Sequence, residues 1–93
     1  MQERREIFID GGQFTTRPQM HDYLQGLMAG VSYEGRNLDA LHDALASICT
    51  PTLITVQNLD TARNFLNGYV DRTVAVFVAA AVENPNLDLV IDD

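Results

Sequence analysis

Three short apolar runs constrain the fold of this chain more than anything else in it: Ile7-Phe8-Ile9, Thr52 to Gln57 with Leu53, Ile54 and Val56, and Leu87 to Ile91. Each reads as a short buried strand, and each interval between them is long enough for two helices. Strands joined through helices build a parallel sheet, with right-handed connections in nearly every known case. The sequence therefore predicts an α/β fold, a three-stranded parallel sheet with four helices in the order β-αα-β-αα-β. The strands fall near residues 6–10, 52–57 and 87–92. A chain of 93 residues can bury one modest core and not two, so residues 1–93 are read as a single domain.

Caps and apolar stripes outline the helices. Asp10-Gly11-Gly12 turns the chain out of the first strand. Thr15 or Thr16 can cap the first helix, with Pro18 in its first turn, Gly30 past its end and Tyr23, Leu24, Leu27 and Met28 as its stripe. Asn37 is a good N-cap for the second, in which Leu38, Leu41, Leu45 and Ile48 share about 80° of arc, and Pro51 closes that segment. Asn58 is expected to cap a third helix through Leu66, stopped by Asn67-Gly68. Asp71 is expected to start the fourth, where Val70, Val74, Phe77, Val78 and Ala81 repeat at helical spacing, although Val74 to Val78 would also suit a strand. Asn84-Pro85 ends it. There is no repeat, linker or low-complexity segment.

Charge narrows the partners. Asp and Glu number 13 against 6 basic residues, all arginine, for a formal charge of −7. No basic stripe offers itself to phosphates, so nucleic acid is not the expected partner, whereas a negative field favours meeting a basic surface. Cys49 is the only cysteine, which excludes an intrachain disulfide and a cysteine-based metal site and fits a reducing compartment. The start does not read as a secretory peptide, and Val74 to Val82 falls far below the ~20 residues of a membrane span. A soluble cytoplasmic protein is expected.

Between Tyr33 and Leu45 most residues have a plain structural role, with Gly35 suited to a turn, Asn37 to a cap, and the leucines and alanines to the buried side. Tyr33, Glu34, Arg36, Asp39, His42 and Asp43 are left over. On a helix Asp39, His42, Asp43 and Ala46 occupy an arc of about 100° facing away from the leucines. Asp39 gains from the helix dipole in the first turn, but Asp43 repels it one turn on. A solvated helix face would be built from the same residues. As metal ligands Asp39, His42 and Asp43 lack a second cluster to complete a site, so no metal or cofactor is expected. No nucleophile, P-loop or dinucleotide motif is present, Gly11-Gly12 is better explained as a strand-to-helix turn, and His21 beside Asp22 reads as a surface residue. Nothing here makes an enzyme.

The segment Tyr33-Glu34-Gly35-Arg36-Asn37-Leu38-Asp39-Ala40-Leu41-His42-Asp43-Ala44-Leu45 resembles the signature of the barstar family, an aromatic followed closely by Gly-x-Asn-Leu-Asp-Ala-Leu-aromatic-Asp-x-Leu. It stands where that family has it, after the first strand and helix and before the second strand. The resemblance implies a barstar-like fold and an inhibitor whose loop and second helix enter the active site of a small guanyl-preferring ribonuclease. Asp43 would then take the place of an RNA phosphate, Asp39 would pair with enzyme cations, Tyr33 would pack on the catalytic site, and Gly35 and Asn37 would shape the loop. Glu34, Leu38, His42 and Ala46 complete the expected contact surface. Three positions depart from the family pattern: Glu34 where an aromatic is usual, His42 where Trp is usual, and Ala79 where a contacting Glu is usual. They move or reduce the anionic rim, which leaves room for a different ribonuclease toxin, or for an interaction module of the same fold whose partner is not a nuclease.

Overall fold

The computed structural model describes residues 4–28, 33, 35 and 37–92. Strand β1 (Arg5–Asp10) leads through a single 3-10 turn (Gly11–Gln13) into α1 (Arg17–Leu27), followed by α2 (Leu38–Ala46), β2 (Thr52–Gln57), α3 (Leu59–Leu66), α4 (Gly68–Glu83) and β3 (Leu87–Asp92). The sheet order is β1-β2-β3, with both pairs parallel, so Ile7, Ile54 and Leu89 lie in one row and Ile9, Val56 and Ile91 in another. The expected architecture is the one observed, and Val74 to Val78 is helical.

Among the described residues, the helices cover only one face of the sheet. Ile7, Ile9, Ile54, Val56 and Leu87 are buried beneath the helices with Met20, Leu24, Leu41, Leu45, Val70 and Phe77. On the opposite face Phe8 is 59% and Val90 47% exposed, on either side of Thr55 in the same row. Sequential strands with connections of one hand deliver their helices to one side, so the other side of this parallel sheet stays open.

Local chemistry accounts for most element ends. Thr16 caps α1 by accepting from the Gln19 N–H, with Pro18 at the start. That helix ends at Leu27 with Met28 as its C-cap, and the Gly30 expected past its end is outside the described residues. Gly11 must be glycine for space: a Cβ would lie 2.4 Å from the Asn58 carbonyl oxygen. Two expectations at the second crossover are corrected. Asn58 adopts a left-handed backbone (φ 59) and makes no side-chain cap; its amide instead donates to Asp10 Oδ1 at 2.8 Å. The fourth helix starts at Gly68, earlier than Asp71, because Asn67 at φ 52 reverses the chain in a single residue.

Candidate functional site

Helix α2 is held at both ends and along one side. At its start the Ala40 N–H donates to Asn37 Oδ1 at 2.8 Å, and Gly35 supplies the left-handed turn (φ 86) that leads into the cap. Leu41, Ala44 and Leu45 are buried on its inner side. At its end the buried side-chain amide of Asn84 donates to the carbonyls of Leu45 (3.0 Å) and Ile48 (2.9 Å), adding to the longer bond that Leu45 receives from the Ile48 N–H (3.3 Å). This clasp also ties the end of α4 to the end of α2.

With the inner side fixed, Asp39, Asp43 and Ala46 face outward together, and the Asp43 side chain is 87% exposed. His42 lies at the border of that face. Its Nε2 is 2.8 Å from Glu83 Oε2 on α4, and its Nδ1 is 3.7 Å from Asp43 Oδ1. An ionised carboxylate can only accept, so the bond to Glu83 puts a proton on Nε2. Beyond Glu83 the outer side of α4 carries Ala75, Val78, Ala79 and Val82, all exposed and uncharged, Val82 to 81%.

Of the other residues expected at the contact surface, Gly35 and Asn37 are exposed and Leu38 is half-buried against the core. Glu34 lies outside the described residues. Tyr33 is turned inward: its ring is buried, its hydroxyl bonds to His21 Nδ1, and burial raises its pKa well above the ordinary tyrosine value. His21, read from sequence as a surface residue, is completely buried. The sequence did hold a signal for it, since positions 21, 24 and 28 share the stripe that buries Leu24 and Met28. No comparable signal joins His42 to Glu83, which are brought together only by helix packing.

Among the described residues no three His, Cys, Asp or Glu side chains converge as a metal site would need, and no helix is long and apolar enough to cross a membrane. The family model described as "Barstar (barnase inhibitor)" matches residues 4–91, from the first described residue almost to the last. The chain belongs to the barstar family. A Bacillus subtilis (strain 168) protein named "Putative ribonuclease inhibitor YrdF" is 35% identical over 80 residues, covering 85% of this chain and 88% of that protein. The barstar match runs through every strand and helix, so membership rests on the whole fold and not on the α2 segment alone.

Proposed function

We propose that this chain protects its own cell from a ribonuclease by blocking the enzyme's active site, acting as an immunity or antitoxin protein in the cytoplasm and not as an enzyme. In this reading α2 and the residues ahead of it enter the cationic cleft of a small ribonuclease, guanyl-preferring or a related toxin. The Asp43 carboxylate takes the position of an RNA phosphate, and Asp39 pairs with further cations at the rim.

The observation that carries the reading is the pair Asp39 and Asp43, exposed on one side of a helix whose other side is locked into the core of a barstar-family chain. Desolvating a carboxylate is costly unless fixed cations meet it, so such a face binds tightly where arginines and histidines are already arranged for phosphate and weakly elsewhere. The net charge of −7 adds a field that steers a basic enzyme toward it and repels nucleic acid. A free, solitary Cys49 suits a reducing compartment.

The uncharged outer side of α4 at Ala79 and Val82 favours a second reading, a barstar-like interaction module with a non-nuclease partner, since apolar side chains offer a cationic cleft nothing to bind. Mixing the purified protein with barnase and with any ribonuclease encoded beside its gene, while following RNA cleavage, separates the two. Stoichiometric loss of cleavage is expected; complexes that leave cleavage intact would favour the second reading.

A further inference from the structure

A buried histidine packs against Tyr33, the residue that leads toward the candidate surface. His21, on α1, has a tyrosine hydroxyl on each ring nitrogen: Tyr33 on Nδ1 and Tyr69, in the first turn of α4, on Nε2 at 2.8 Å. All three side chains are buried. A neutral imidazole has one N–H and one lone pair, so it donates to one hydroxyl and accepts from the other, and the arrangement has a direction as well as a shape. Desolvation keeps both tyrosines protonated, and the guanidinium of Arg17, 4.2 Å from the Tyr69 ring centroid, covers the outer side of this ring. A second bond from the same helix reaches Tyr33, whose backbone carbonyl accepts from Gln25 Nε2 at 3.2 Å.

Tyr33 is the last described residue before the turn at Gly35 and the cap at Asn37 that begin α2. Apolar side chains of similar volume would fill this part of the core without the cost of burying polar atoms. What they would not do is fix one register of the chain ahead of α2. We infer that His21 is a positioning residue: through Tyr33 it anchors the approach to α2 onto α1, and through Tyr69 it references that approach to α4, so that Asp39 and Asp43 are presented in one fixed geometry. A face held in advance loses less freedom on binding, which is where its value to an inhibitor lies. That value rests on the inhibitor reading above; the positioning itself does not.

Amide hydrogen exchange on the isolated protein tests it. The Ala40 N–H, held by Asn37 Oδ1, and the Leu41 N–H, held by the Asn37 carbonyl, report the start of α2, while Ile54 and Val56 report the centre of the sheet. Tyr33→Phe should speed exchange at Ala40 and Leu41 by roughly tenfold, the loss of about one buried hydrogen bond, with a much smaller change at Ile54 and Val56. An asparagine amide stands near the place of Nδ1 and a glutamine amide near that of Nε2. His21→Asn should therefore keep protection at Ala40 close to wild type, and His21→Gln should lose it. Equal acceleration at all four amides, no response at Ala40 and Leu41, or indistinguishable Asn and Gln variants would each overturn the inference. No ribonuclease enters the measurement, so failure here leaves the inhibitor reading standing, and failure of inhibition leaves the exchange result standing.

Discussion

His42 Nε2 lies 2.8 Å from Glu83 Oε2, a bond that joins the helix bearing the acidic face to the last residue of α4. Both side chains are partly solvated, and pairs of this kind contribute about 0–1 kcal/mol. The bond's larger effect is on direction, since it holds the imidazole toward α4 and leaves Asp39 and Asp43 as the projecting groups. Glu83→Ala should accordingly lower stability in urea unfolding by less than ~1 kcal/mol. A loss of several kcal/mol would mean that the pair is part of the core and not of the rim.

Asn84 has the opposite character. Its amide donates to the Leu45 and Ile48 carbonyls just past the buried end of α2, with the Ala46 carbonyl also within reach at 3.3 Å, while its own oxygen accepts from the Asn86 N–H at 3.0 Å. Asn84→Ala removes the shorter bond to Leu45 and to Ile48 and leaves the longer ones, from the Ile48 N–H to Leu45 (3.3 Å) and from Asn86 Nδ2 to Ile48 (3.4 Å), which should lower stability by about 1–2 kcal/mol. Asn84→Asp should be no milder, because a carboxylate cannot donate. Denaturant midpoints for both variants near wild type would show that solvent replaces the clasp.

What the sequence discloses and what it hides divide along a physical line. Strands and the inner side of α2 were legible because burial imposes a period: Ile7 and Ile9, Ile54 and Val56, Leu41 and Leu45 recur at the spacing their element requires. The outward arc of Asp39, Asp43 and Ala46 follows from the same periodicity, read on its other side. Asn58 misled because asparagine serves both as a cap and as a left-handed residue, and the contact that decides between them, Asp10, lies on another element. His21 misled because a polar residue on an apolar stripe is satisfied only by partners far along the chain, Tyr33 and Tyr69. The Glu83 contact is invisible for the same reason.

Asp10 gives a pH test of the first turn. Its Oδ1 accepts from Asn58 Nδ2 and from the Gly12 N–H, each at 2.8 Å, and these two bonds hold its carboxyl below the usual aspartate range. A carboxyl whose pKa is depressed by folding adds stability above its unfolded value, about 3.9, and that stability is lost as pH falls through the folded value. Asp10→Ala should therefore cost about 1 kcal/mol near neutrality, kept modest by solvent exposure, and progressively less below pH ~4. Unfolding curves for both proteins from pH ~3 to ~7 measure the gap; one that widened toward acid would contradict the assignment of Asn58 and Gly12 as donors to an ionised group.

Asp43 is the residue on which the proposed inhibition turns. Its side chain is 87% exposed, and His42 Nδ1 lies 3.7 Å from its Oδ1, too far for a hydrogen bond. Asp43→Ala should leave stability unchanged or raise it by about 0.2–0.5 kcal/mol, because the repulsion from Asp39 one turn earlier disappears. Against a ribonuclease that the wild-type protein inhibits, the same change should weaken binding by at least ~2 kcal/mol, roughly thirtyfold in Kd, since the enzyme's phosphate-binding cations are left buried and unpaired. Association of the wild-type pair should slow as salt is raised, and less so for Asp43→Ala, because ions screen the field that brings an acidic face to a basic cleft. Stability and affinity thus move independently for a contact residue and together for a structural one. An inhibition constant unaltered by Asp43→Ala would remove the phosphate-mimic mechanism, even with ribonuclease inhibition itself intact, and would direct attention to the uncharged side of α4 at Ala79 and Val82.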